Sequence, residues 1–334
     1  MKNNRPLILS ILIAAFIASA VLSLLIGTYC IGIDRFIEII SGRGTFSENN
    51  IFFGLRLPRI LLALAVGGSL SLAGVLLQAI FRNPLVEPYT IGISGGASFA
   101  VCLVVSAGLT GFMGRFSVYA AGFTGATIVI AILYLLNSRG RIKNITTLLL
   151  SGIMMSFIFS SLIMLVLAFS KTEDAHGILF WLMGSLEHTD LKLSLFALLA
   201  SLICLTTVFF FFHELDALLL GEEQAGYLGI DVPRAQFRFF IAAAFLTALS
   251  VSLSGIIAFV GLAIPLITRK LIGSNHRYLL PAAYFSGAAF LALCDLAART
   301  IISPMELPVG VITGIIGGIL FVWALFNNGK KQNV

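Results

Sequence analysis

Charge is what this sequence has least of. Of its 334 residues, 59% are hydrophobic and only 11% are charged, against about 25% charged in a typical soluble domain. That shortage excludes an ordinary water-soluble globule. The alternating apolar and polar residues that build a transmembrane barrel are missing too. The 32 glycines form no glycine-rich tract, which excludes collagen-like and low-complexity readings. The four cysteines, Cys30, Cys102, Cys204 and Cys294, include no CxxC pair. Their spacing suits neither a disulfide framework nor a metal site, and three lie in apolar segments as small core residues. No GxxxxGK[ST] phosphate loop is present, so the chain has no nucleotide grip of that kind. No paired carboxylates or His-rich motif sits on an apolar segment, which argues against an intramembrane enzyme. The centres of those segments carry almost no ionisable groups, which argues against the alternative of an ion-coupled secondary transporter of a small solute. The net charge of +6 forms no patch. Basic residues flank apolar segments instead, the pattern of membrane-helix ends and not of a nucleic-acid surface.

What is present is a series of apolar runs, roughly 7–27, 60–80, 90–110, 116–136, 146–169, 193–212, 236–253, 256–268, 279–297 and 308–326. Most have the roughly 20 residues a helix needs to cross ~30 Å of hydrocarbon. In lipid each backbone group must be satisfied within its own segment, so helices are expected throughout. The sequence therefore predicts an all-α, polytopic bundle of about ten transmembrane helices, forming a single domain over 1–334. The run after Lys2 and Arg5 is long for a signal peptide and has no obvious small-residue cleavage site, so it is read as a retained first span. The stretch between Arg238 and Arg269 holds 30 uncharged residues. As one helix it would be about 45 Å long, too long for one span and too short for two full ones. Gly255 near its middle predicts a helix, a break and a short second helix returning to the same side.

Lys and Arg counts give the sidedness. With the N-terminus inside and ten alternating spans, thirteen cations fall inside and eight outside. That is the excess required of a cytoplasmic side, and it places both termini in the cytoplasm. A short echo, Ser69–Gly74 against Ser250–Gly255, runs in opposite directions across the membrane, as inverted transporter repeats do.

The longest inner loop between spans, 213–234, is acidic and amphipathic. Leu215, Leu218 and Leu219, then Ala225 and Leu228, follow helical spacing, and Gly221 and Gly229 punctuate two short helices. A helix lying on lipid is usually rich in Lys and Arg. This loop carries Glu214, Asp216, Glu222 and Glu223, which points to a protein partner; a connector packed on its own bundle is the competing reading.

Several long segments resemble the FecCD family of ABC importer permeases, which take up cobalamin, haem and iron–siderophore complexes. They are LRLPRILLALAVGGSLSLAG (55–74), QAIFRNPLVEPYTIGISGGAS (78–98), WLMGSL (181–186), LLGEEQAGYLGI (219–230), SGIIAFVGLAIPLITRKLIGSNHRYLLP (254–281) and DLAARTIISPMELPVGVITGIIGG (295–318). The resemblance implies a type II importer permease fold and a bacterial or archaeal cytoplasmic membrane. It implies a second permease copy, most simply a homodimer, two separate ATPase subunits that use ATP and Mg, and an extracytoplasmic substrate-binding protein. No cofactor or metal would be bound by this chain itself. The segment with Gly221, Glu222, Glu223, Ala225, Leu228 and Gly229 would couple to the ATPases. Arg56, Arg59 and Arg299 would receive carboxylates of the binding protein. Asn83 and Leu85, and Asn144, Ile145 and Thr146, match cytoplasmic gates. The translocation path would run along the fifth and tenth spans, past Ser151, Ser156 and Ser160 and past Gly310, Thr313, Gly314 and Gly317. Close helix packing is the competing reading for these glycines. His176 and His188 are read as part of a solvated outer loop, and His276 as structural. Where many relatives have a His after FVGLAIP, this chain has Leu266.

Overall fold

The computed structural model describes residues 4–27, 32–110, 114–138, 145–187 and 190–326. Among these residues the chain is helical with no strand, and each predicted apolar run carries a helix. The long helices are α1 (Arg5–Leu25), α3 (Phe46–Ile80), α4 (Ile93–Ser106), α5 (Phe116–Ser138), α6 (Ile145–Phe169), α8 (Leu191–Phe209), α11 (Val232–Ser254), α12 (Val260–Ile272), α13 (His276–Thr300) and α14 (Val309–Phe326). Short helices join them: α2 (Ile33–Ile40), α7 (Thr172–Leu182), α9 (Phe212–Leu220) and α10 (Glu222–Tyr227). Seven of the long helices have the length and apolarity to cross a membrane; α4 and α14 are shorter apolar helices.

The bundle is built around α3. Its apolar stretch is 94% buried, whereas those of α1 and α6 are 11% buried. Helix α3 packs against α13, α11, α8 and α12. Small residues set how close these helices come: a Cβ placed on Gly74 would lie 1.9 Å from the carbonyl oxygen of Gly261 on α12. Such backbone contact is available only to glycine and suits association inside lipid, where packing and not hydrophobic burial drives helix pairing.

The break at Gly255 is present. Helix α11 ends at Ser254, Gly255 has φ +69°, and α12 starts five residues later. The unwound carbonyl and amide of Ile257 are satisfied by Tyr89: its hydroxyl donates to Ile257 O and accepts from Ile257 N, both at 3.0 Å. In an apolar surround, unpaired backbone there would be costly. The short sequence echo does not carry into local structure, because Gly74 lies within α3 while Gly255 terminates α11. The outer segments show more helix than expected. Helix α7 replaces the solvated loop around His176, with His176 exposed on it, while His188 lies outside the described residues.

Contacts sort the helix ends into two groups that match the charge count. At one end Arg5 lies over the Tyr278 ring, Arg269 donates to Gln78, and Arg82 faces Glu222. At the other, Arg56 and Arg299 meet the end of α1, and Asp295 joins Arg299 to Arg59, which holds Glu306. The ends expected inside are together, as are those expected outside.

Candidate functional site

At the end expected to lie inside, the inner end, the sequence 212–231 folds into a small platform. Helix α9 is seated by Leu215, Ala217 and Leu218, all buried, and α10 by Ala225, which is fully buried. Gly221, at φ +122°, makes the corner between the two helices, a conformation suited to a residue without a Cβ. Gly229, at φ +83°, closes α10, with Ile230 N donating to Ala225 O. Polar contacts then fix the platform to the spans. Arg238 on α11 reaches both Glu214 oxygens at 3.0 Å and covers the Phe211 ring at 4.1 Å. Gln236 donates to Glu222 at 3.0 Å, and Arg82 lies 3.8 Å from the same carboxylate. Asp216 accepts from the backbone N–H of His276 at 2.9 Å, and one carboxylate oxygen lies 2.7 Å from His276 Nδ1. Partial burial alone would raise the Asp216 carboxyl, but the hydrogen bonds and charge of His276 hold it below the usual carboxylate range. His276 is completely buried at the start of α13, a structural position.

What the platform leaves outside includes large apolar and aromatic side chains beside Glu222, Glu223 and Gln224. Leu220 is 59% exposed, Tyr227 81% and Leu228 64%. Leu228 therefore does not share the buried face of Ala225, as its spacing had suggested, because α10 ends at Tyr227 and the chain turns. Glu223 is exposed beside them and accepts from the Tyr227 hydroxyl at 3.4 Å. Close by in sequence to Arg82, the Asn83 side chain accepts from Leu85 N at 2.9 Å, and Leu85 points outward, 53% exposed. Asn144 lies outside the described residues, as does the side chain of Ile145; Thr146 is exposed at the start of α6.

The tenth-span glycines divide. A Cβ on Gly310 would meet Met183 O at 2.2 Å, and one on Gly317 would meet the Phe259 side chain at 2.5 Å; around Gly314 nothing lies within 4 Å. Gly310 and Gly317 thus serve close packing within the chain, whereas Gly314 faces open space. Thr313 is buried and its hydroxyl donates to Gly310 O. On α6, Ser151 and Ser156 donate to their own helix four residues back, and Ser160 is exposed. Leu266 is buried.

The arginines expected to receive carboxylates of a binding protein already have partners within the chain. Arg56, Arg59 and Arg299 are all buried. Arg56 donates to the last carbonyls of α1, Leu24 O at 2.7 Å and Leu25 O at 3.3 Å, and Arg299 donates to Ser23 O at 3.2 Å. These are helix-end carbonyls that lack intrahelical partners. Arg59 binds Asp295 at 2.8 Å and Glu306 at 2.6 Å. Arg299 Nε lies 3.2 Å from Asp295 Oδ2 but is misaligned, so neither atom has a hydrogen-bond partner among the described residues. Sequence reading missed Asp295 and Glu306 as partners. The usable signal was the i,i+4 spacing of Asp295 and Arg299, which puts both on one helix face. Beside this cluster, Arg115, Tyr119, Trp181, Glu187, Glu306 and Pro308 line a cavity of about 520 Å³. No group of three metal-ligating side chains occurs among the described residues.

Comparison with known proteins places these features in a family context. The model of the FecCD transport family matches residues 12–327. The chain is 34% identical over 288 residues to the hemin transport system permease protein HmuU of Yersinia pestis, covering 85% of each chain. It is 35% identical over 344 residues to the molybdate import system permease protein MolB of Haemophilus influenzae, covering 99% of each. A solved structure of an inward-facing ABC transporter, assigned to the metal-chelate type, superposes with a TM-score of 0.84 at 32% identity, over 96% of this chain and 99% of that one.

Proposed function

Because this chain belongs to the FecCD transport family, we propose that it forms the membrane-spanning part of an ATP-driven importer and carries a metal chelate of the iron–siderophore, haem or cobalamin type. The haem relative supports that substrate class, and the molybdate relative extends it to oxyanions. The observation that carries the mechanism is the platform 212–231: its polar groups are tied to α11, to α13 and to Arg82 just past α3, and its outward side includes Leu220, Tyr227 and Leu228. A surface of exposed apolar and aromatic residues rimmed by Glu222 and Glu223 is suited to a protein partner. In this reading two separate ATPase subunits seat Gly221–Gly229, close on ATP and Mg, and push the platform. Arg238, Gln236 and Asp216 pass that movement to α11 and α13.

A second copy of the chain completes the importer. The exposed faces of α6 and α14, with Ser160, Gly314, Ile315 and Ile319 outward, then border the path between the copies. The turn at Asn83 and Leu85 and the start of α6 at Ile145 and Thr146 stand at its cytoplasmic mouth. A binding protein delivers substrate at the opposite end, near Arg56, Arg59 and Arg299. Both termini lie in the cytoplasm. The work is alternating access, in which each partner favours one of two arrangements of the bundle.

Uptake into proteoliposomes tests the proposal. Transport should require ATP and the binding protein and should persist when ion gradients are collapsed. Uptake driven by an ion gradient without ATP would refute it.

A further inference from the structure

Arg59 is enclosed by two carboxylates of different character. The Asp295 side chain is 1% exposed, whereas that of Glu306 is 31% exposed. Asp295 is fixed within α13. Glu306 stands on the loop between α13 and α14, where Ile301, Ile302 and Met305 are exposed and where Leu307 N donates to Ala298 O at 3.1 Å. Glu306 also forms part of the cavity wall next to Arg115 and Trp181. Removing Asp295 would strand buried charge, a costly change. Exchanging Glu306 for another carboxylate would not, because the guanidinium fork stays satisfied.

The loop continues directly into α14. There the Gly310 backbone packs against Met183 O and Ile256 O, so the loop holds the start of a span that borders the path. The four charges of Arg59, Asp295, Arg299 and Glu306 cancel one another.

We propose that Glu306 is an internal stand-in for a partner's carboxylate: it caps Arg59 while the transporter is undocked, and an Asp or Glu side chain of the binding protein displaces it. Displacement releases the 301–308 loop and with it the start of α14, so docking is reported to the path by exchange of one carboxylate for another. The apolar rim of Ile301, Ile302 and Met305 supplies contact area around the exchange. This inference rests on the reading that the outer arginines receive the binding protein.

The test uses the full transporter in nanodiscs, with Glu306→Gln against wild type and co-purification of the ATPase subunits as the check on assembly. Phenylglyoxal, read by peptide mass mapping, should modify Arg59 several-fold faster in E306Q, with Arg56 as the unchanged reference. The importer's binding protein should dock about tenfold more tightly to E306Q, since its carboxylate no longer competes with an internal one. Unchanged labelling of Arg59, or docking that is unchanged or weaker, overturns the proposal. If E306Q fails to assemble, Glu306→Asp, one methylene shorter, gives the same comparison with smaller changes of the same sign. Arg59→Lys separates the two readings, because it keeps the charge facing Asp295 and removes the fork. Wild-type docking of R59K refutes the docking role itself. Lost docking in R59K with no change in E306Q refutes only the displacement.

Discussion

The two ends of this bundle handle charge in opposite ways. At the inner end, ionic contacts are half-exposed and lie beneath an apolar surface: Glu214 with Arg238, and Glu222 with Arg82 and Gln236, hold a platform whose outward residues are Tyr227 and Leu228. At the outer end Arg59, Asp295 and Arg299 are buried: Asp295 and the partly exposed Glu306 hold Arg59, and Arg299 donates to Ser23 O. One end presents a surface and uses charge to support it. The other uses charge as internal structure and presents exposed apolar residues of a loop. Arginine beside a span therefore has no fixed meaning; its neighbours on adjoining helices decide whether it anchors, docks or locks.

The largest effect expected from this contrast is at the outer cluster. Asp295→Ala leaves Arg59 and Arg299 buried without their shared partner and should destabilise the chain by about 3–5 kcal/mol, by the measure of broken buried pairs. Thermal unfolding of the detergent-purified chain reads this directly. The inner pair Glu214–Arg238 should contribute no more than about 1 kcal/mol when broken by Glu214→Gln, being partly solvated. Equal losses at the two ends would break the comparison.

Glycine substitutions sharpen it within the membrane. Gly74→Ala forces a methyl onto Gly261 O and should cost about 1–3 kcal/mol, as overpacking does. Gly314→Ala meets nothing within 4 Å in the chain and should leave the melting temperature of the isolated chain unchanged. A loss of uptake in Gly314→Ala with normal stability would place that residue at a surface between copies.

The inner surface should separate function from stability. Tyr227→Ala removes an exposed side chain and should shift chain stability by less than about 0.5 kcal/mol, while ATPase association falls about tenfold, as for an aromatic anchor. Charge reversal by Glu222→Lys with Glu223→Lys should uncouple ATP hydrolysis from uptake, and it also sets a second cation against Arg82.

The smallest effect concerns pH. The Asp216 carboxyl sits below its ordinary range. Its contact with His276 is thus fully stabilising above the ordinary carboxylate pKa and is lost only as pH falls through the lowered value. Hydrogen-exchange protection factors of 212–220, taken against intrinsic rates at each pH, should stay flat from pH 7 to about 5, and Asp216→Asn should lower them throughout.

Much of this was legible in the sequence. Long apolar runs specify helices because lipid permits little else, and Gly255 marked the break in a run of the wrong length. Gly221 and Gly229 marked the corners of the platform. Other features depend on distant residues. Glu306 meets Arg59 across 247 positions, and Asp295 meets it across 236, so neither pairing has a local pattern. Leu228 sits at helical spacing from Ala225 but falls just past the end of α10, where spacing no longer fixes direction. Of the tenth-span glycines, the GxxxG spacing treats Gly310 and Gly314 alike, yet one faces a neighbouring backbone and the other faces space.

The central claim is that the platform 212–231 is the cytoplasmic seat of the ATPase. A cysteine introduced by Tyr227→Cys in the assembled transporter measures this most directly. It should cross-link to the ATPase subunit with a yield that changes on ATP binding, and it should resist a membrane-impermeant thiol reagent applied to intact cells. Labelling from outside, or a cysteine that never joins the ATPase, would contradict it.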